Sequence, residues 1–314
     1  MMSAPDLAYV GLAVRDVDAV SRAFGEHLGL ARRDGTLADG TRVPLFGVGE
    51  TALAVFEAGH AFLGVDSQPG VHHVAIAADS PAAFAEAAGF DLSSHALTQG
   101  IDGAPQLEID SQWTYGLRTR ICAPVEIERS ASEDVERIDH LGVASADNEK
   151  TAGVFSGKLS CPVESTQTDM EVRMAIETFS SDKYGVVYHN RPPQPVGGLR
   201  VAFLSIGDCD LELLEPFDPE PEHAEPAAPA PDRPGNTRGD RGAIGRYIER
   251  RGPGLHHLAL KTPHINALLP QLAECGLRMI DTLGRPGSRR ALIGFIHPAA
   301  LGGVLLHFVQ RDER

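Results

Sequence analysis

The chain repeats itself four times, and that repetition constrains its fold more than any other feature. Short apolar runs of one pattern begin at Tyr9 (Tyr9-Val10-Gly11-Leu12-Ala13-Val14), His73 (His73-Val74-Ala75-Ile76-Ala77), His140 (His140-Leu141-Gly142-Val143-Ala144) and His257 (His257-Leu258-Ala259-Leu260-Lys261). Each run is short, rich in branched residues and bounded by polar ones, which reads as a buried strand. Helix starts follow at Asp16, at Ser80-Pro81 and at Thr262-Pro263. The last two set a hydroxyl at the N-cap and proline at the first helical position, where its missing N–H costs nothing. Behind the fourth run, Ile265, Leu268, Leu269 and Leu272 recur at helical spacing and predict a face packed on a sheet. Further strands are expected at Val201–Ser205, Asp210–Leu214 and Gly303–Phe308. The unit is thus a strand, a helix and several more strands, an α+β protein with two modules per domain.

The two domains are expected at residues 1–130 and 135–314, joined by the small polar segment Ser130-Ala131-Ser132-Glu133-Asp134. The interval between the third and fourth runs is longer than the others for two reasons. One is a Pro-rich stretch at 217–234, whose composition favours an extended, solvated connection. The other is a pair of extra strand-like runs, Glu171 to Phe179 and Tyr184 to Asn190, placed to wall one side of a pocket.

Composition narrows the partners. Lys and Arg total 28 against 43 Asp and Glu, a formal charge of −15. That balance excludes a duplex-DNA binder, whose affinity comes from cations set on phosphates. With 42% apolar and 23% charged residues among 314, the chain can bury a sizeable core. No run approaches the roughly 18 apolar residues of a membrane span, and the N-terminus lacks a signal-peptide pattern. Cys122, Cys161, Cys209 and Cys275 are scattered without a CxxC pair and read as reduced thiols. The expectation is a soluble cytoplasmic protein with neither nucleic acid nor membrane as a partner.

The polar residues inside the repeats carry the chemistry. His140 and His257 occupy the same repeat position in modules three and four. Glu212 sits between Leu211 and Leu213 on a late strand, and His307 between Leu306 and Phe308 on another. Side chains alternate across a strand, so each polar residue faces inward while its neighbours pack on the other face. Facing modules bring the four to one centre. Three imidazoles and a carboxylate make a poor core but a good site for one divalent ion per chain, with Fe, Co, Ni, Mn or Zn all suited to the donors. The first half has Tyr9, about Ala54, His73 and about Glu126 at its equivalent positions, too few ligands for a metal. A structural or homodimer-forming role is expected there instead. In the doublets His72-His73 and His256-His257, alternation sends His72 and His256 to the opposite face.

These residues resemble the vicinal oxygen chelate superfamily, which includes glyoxalase I, methylmalonyl-CoA epimerase and extradiol dioxygenases. The resemblance to the epimerase covers residues 138–144, Val201 to Pro216, Ile244 to Leu260 and Phe295 to Gln310. It implies four βαβββ modules paired into two domains, each a cupped mixed sheet with helices outside. It implies the same ligands: His140, Glu212, His257 and His307. Two positions depart from the epimerase pattern: His307 stands where a glutamate is usual, and Gln194 lies where a second glutamate would be.

The resemblance implies a metal-dependent enzyme whose small-molecule substrate presents adjacent oxygens or a thioester. An isomerase or epimerase acting beside a carbonyl or CoA thioester needs a base near the acidic carbon. Glu177, His189 and Tyr188 on the inserted strands, and His297 in the turn before the last strand, are the candidates. The alternative is an extradiol-type Fe(II) dioxygenase with His140, His257 and Glu212 as its triad. A non-enzymatic binding or resistance protein is the third reading. Arg173, Arg191, Arg246, Arg250 and Arg251 are available to attract a carboxylate or a CoA phosphate.

Overall fold

The computed structural model describes residues 4–93, 95–128, 132–173, 176–183, 185–190, 194–218 and 237–312; the side chains of 173, 176–179, 187–190, 194 and 237–238 are outside that description. The Pro-rich stretch lies outside it from 219 onward.

The four runs are the first strands of four modules. The first comprises β1 (Leu7–Val14), α1 (Val17–Arg22), β2 (Arg32–Thr36), β3 (Arg42–Val48) and β4 (Thr51–Glu57). The second comprises β5 (Gly70–Ala77), α2 (Pro81–Ala87), β6 (Thr98–Gln99), β7 (Pro105–Ile109) and β8 (Thr119–Cys122). The third runs through β9 (Arg137–Ala144), α3 (Asn148–Gly157), β10 (Val163–Arg173), β11 (Ile176–Ser181), β12 (Gly185–Asn190), β13 (Gln194–Ile206) and β14 (Cys209–Phe217). The fourth, introduced by α4 (Thr237–Arg251), comprises β15 (Gly254–Lys261), α5 (Ile265–Glu274), β16 (Arg285–Pro286), β17 (Leu292–Ile296) and β18 (Leu306–Gln310).

Modules pair into two curled eight-stranded mixed sheets with helices outside. Their orders are β2-β3-β4-β1-β5-β8-β7-β6 and β10-β13-β14-β9-β15-β18-β17-β16. In each, the first strands of two modules meet antiparallel at the centre, and each has its own module's last strand parallel to it on the other side. The inserted runs form a separate two-stranded ribbon, β11 with β12. Glu171 belongs to β10, so that insertion begins later than its sequence pattern predicted.

Local chemistry explains most boundaries. Asp16 and Asp147 cap α1 and α3 by accepting from Ala19 N and Lys150 N. Ser80 is the N-cap of α2 with Pro81 in its first turn, as predicted. α5 starts later than predicted: its N-cap is His264, and Thr262 Oγ1 accepts from His264 N instead of from the helix. Its apolar face is as expected, with Ile265, Leu268, Leu269 and Leu272 all fully buried. Each such side chain is worth roughly 1.5–3 kcal/mol. Leu12 and Phe24 of the first half share one buried core with Leu258 and Phe308 of the second. All four cysteines are free. Among the described residues no helix is long and apolar enough to cross a membrane.

Candidate metal centre

Four consecutive central strands of the second sheet, β14, β9, β15 and β18, each contribute one polar side chain to the same hollow. They are Glu212, His140, His257 and His307, between 3% and 6% exposed. The register explains their convergence. Gly142 lies opposite His257 on one side and Glu212 on the other, while Ala259 lies opposite both His140 and His307. Small residues at these crossing points leave the rings room to turn inward.

The geometry suits an ion. His140 Nε2 and His257 Nε2 lie 3.4 Å apart, and Glu212 Oε2 is 3.3 Å from the first and 3.4 Å from the second. Donors held about 2.1 Å from a metal are separated by about 3.0 Å at right angles and about 3.4 Å at the tetrahedral angle. One nitrogen from each of His140, His257 and His307 lies within 4.8 Å of the others. His307 Nδ1 is buried with no hydrogen-bond partner, an orphan that a metal would satisfy.

The charges fit as well. Burial pushes the His140 ring down, but Glu212 and the hydrogen bond to Asp139 outweigh it and hold the ring above its ordinary range. Burial raises Glu212, yet His140 and His257 bring it below the usual carboxylate range. His257 and His307 are lowered, chiefly by burial.

The hollow opens into a cavity of about 310 Å³. Its walls include Leu199, Phe203, Ile244 and Phe295, and its charged rim includes Arg246, Arg285, Arg289 and Arg311. The Arg289 guanidinium lies 3.6 Å over the Phe203 ring and is held 2.9 Å from both Asp210 and Glu164. Arg285 covers Phe295, which in turn packs against His307.

Two first strands carry a β-bulge that sequence alternation does not reveal. The β15 register slips between Leu255 and His257, so His256 does not turn away. It lines the same cavity, with its Nδ1 3.0 Å from His257 Nδ1. The equivalent slip in β5 brings His72 Nδ1 within 2.9 Å of His73 Nδ1. The expectation of opposite faces is corrected on both strands.

Register also corrects the reading of the first half. Matching the central strand pairs places Tyr9 at the position of His140, Ala54 at Glu212 and His73 at His257. The fourth place belongs to Arg120, opposite Ala75 as His307 is opposite Ala259, and not to Glu126. Arg120 is 3% exposed; it donates to Phe62 O and stacks on the Phe62 ring. A fixed cation stands where the second half has a ligand.

The profile of the Glyoxalase/Bleomycin resistance protein/Dioxygenase superfamily matches residues 139–295. The chain belongs to that superfamily. Methylmalonyl-CoA epimerase of Homo sapiens is 22% identical over 208 residues, covering 62% of this chain and 92% of the relative. The uncharacterized protein YqjC of Bacillus subtilis is 24% identical over 177 residues, 56% of this chain and 93% of its own. Among solved structures, a mutant of 4-hydroxymandelate synthase from Streptomyces coelicolor matches with a TM-score of 0.62 at 17% identity, over 99% of this chain and 94% of that one. The likeness shows that the two share a fold along nearly their whole length.

The remaining superfamily-derived candidates divide. Glu177 and His189 face each other in register across the β11–β12 ribbon, but their side chains, like that of Tyr188, lie outside the described residues. His297 does not line the cavity: it is the N-cap of a short turn, and its Nδ1 accepts from Ala299 N. Of the five arginines, Arg246 lines the cavity, whereas Arg251 donates to Pro69 O and Arg250 lies away from the cavity wall. Arg173 and Arg191 are outside the described side chains. Sequence reading missed Asp139, Asp169, Arg285, Arg289 and Arg311. Only Asp139, directly before His140, carried a signal in the sequence; Asp169 comes from within β10, and the three arginines reach the site from strand ends and loops.

Proposed function

We propose that this protein is a divalent-metal-dependent enzyme, with His140, Glu212, His257 and His307 holding one ion, and that it works as an isomerase or epimerase beside a carbonyl or CoA thioester. The single observation that carries the reading is the four-donor cluster at the end of an otherwise largely apolar cavity. Bound there, the ion supplies Lewis acidity to adjacent substrate oxygens and so stabilises enolate charge. The apolar walls exclude water and strengthen that interaction. Arg285 and Arg289, fixed on Phe295 and Phe203 and paired with Asp281, Asp210 and Glu164, shape the cavity wall beside the ligands. Glu177 and His189 are the proposed bases, and Asp169 on β10 adds a carboxylate on the described cavity wall. A CoA thioester is the substrate class named by the epimerase relatives, and a cytoplasmic, homodimeric enzyme belongs to the same proposal.

A second reading has its own observation. His140, His257 and Glu212 form a nearly equilateral triangle of donors, the two-histidine, one-carboxylate arrangement suited to non-haem Fe(II). Two assays separate the readings. Co(II)-loaded protein in D₂O should catalyse deuterium wash-in at the α-carbon of methylmalonyl-CoA, followed by proton NMR, while Fe(II)-loaded protein given catechol in air should consume no oxygen. Oxygen uptake without wash-in reverses the preference.

A further inference from the structure

We propose that Asp139, braced by Arg311, is a positioning residue of the metal centre. It fixes His140 with its proton on Nδ1 and turns Nε2 toward Glu212 and His257. The proposal rests on the metal-binding reading above. Asp139 is fully buried, and its Oδ1 lies 2.7 Å from His140 Nδ1. Arg311 Nη2 lies 2.9 Å from the other oxygen, close enough for an ion pair although not aligned as a hydrogen bond. An ionised carboxylate only accepts, so the Nδ1 facing it must be the donor. In the neutral ring this leaves the lone pair on Nε2, the atom 3.3 Å from Glu212.

A β-bulge makes this contact available. The pairing of β9 with β15 slips between His140 and Ile138, skipping Asp139, so that its carboxylate reaches the ring of the next residue.

The repeat within the chain supplies a control. The first half keeps the same slip, skipping Ala8 between Leu7 and Tyr9. The bulge therefore belongs to the fold, whereas the carboxylate in it does not. Extending the matched registers puts Ala8 at Asp139, Tyr9 at His140 and Pro124 at Arg311. The half without the ligand set lacks the whole relay. By contrast, the Nδ1–Nδ1 contact between adjacent histidines persists in both halves, at 2.9 and 3.0 Å, and does not distinguish them. Outer partners of the two rings that face Glu212 consequently differ: a carboxylate for His140 and an imidazole for His257. His140 is the ring oriented by charge, and carboxylate backing makes a ligating histidine more basic.

The test measures Zn(II) affinity of the full-length protein by competition with a chromophoric chelator, comparing wild type with Asp139→Asn. Alongside it, long-range ¹⁵N–¹H NMR of metal-free wild type, above the raised pKa of the ring, locates the His140 proton. The expected results are a loss of affinity of about 10- to 100-fold and a proton on Nδ1. Equal affinities in two folded proteins would overturn the role of Asp139 while leaving the metal site intact. A wild type that takes up no Zn(II) would remove the metal reading and this proposal together. Should Asp139→Asn not fold, the NMR decides: a proton on Nδ1 supports the relay, and one on Nε2 refutes it.

Discussion

Gly142→Ala tests the proposed centre through a single methyl group. A Cβ at this position would meet the Cε1, Nδ1 and Nε2 atoms of His257, all well inside the 3.0 Å that real Cβ contacts respect. Ordinary contact begins at 3.4 Å, so the ring must retreat by on the order of 1 Å. Metal–ligand distances tolerate only about 0.2 Å, and His257 would cease to ligate. The expected loss of Zn(II) affinity is at least about 100-fold, or about 3 kcal/mol at 1.4 kcal/mol per decade. Overpacking should also destabilise the metal-free fold by roughly 1–3 kcal/mol. Gly11→Ala is the matched control, because its Cβ would strike the His73 ring in the same way. It should carry a similar stability cost, read by urea denaturation, and leave metal affinity unchanged. Undiminished binding by Gly142→Ala, or equal loss in both variants, would refute the assignment of His257.

Two further outcomes are expected. His307→Ala should lower metal occupancy measured by elemental analysis, whereas His307→Glu should retain it by supplying a carboxylate donor; full occupancy in the alanine variant would reduce the site to His140, His257 and Glu212 and favour the Fe(II) reading. Burial, reinforced by Arg118 and Arg120, holds His72 down to about 3, so the unfolded chain takes up a proton below about pH 6.5 that the folded one refuses; stability should fall as pH drops from 7, by about 2 kcal/mol at pH 5 from this residue alone. His72→Phe should flatten that dependence in urea titrations, and an unchanged slope would show that the ring titrates in the folded state.

The fourfold repeat, the α+β architecture and the four centre residues were legible in the chain because each depends on local pattern. A branched run gives a strand, a polar residue between apolar ones points inward, and Asp16 caps the helix that follows it. Alternation, however, presumes an unbroken ladder. The slips at Asp139 and His256 leave no mark in the apolar pattern, so the face taken by His256 and the reach of Asp139 to His140 emerge only when two strands pair. The same holds for Arg120, whose identity as the counterpart of His307 is a matter of register across β5 and β8. Arg289 and Arg311 arrive beside Phe203 and Asp139 from distant parts of the sequence, through long-range packing. Pattern along the chain thus picked out His140, Glu212, His257 and His307, but not every residue that faces the cup. Pairing and register between strands decided which of them touch, because hydrogen-bond ladders, bulges and side-chain contacts are relations between segments.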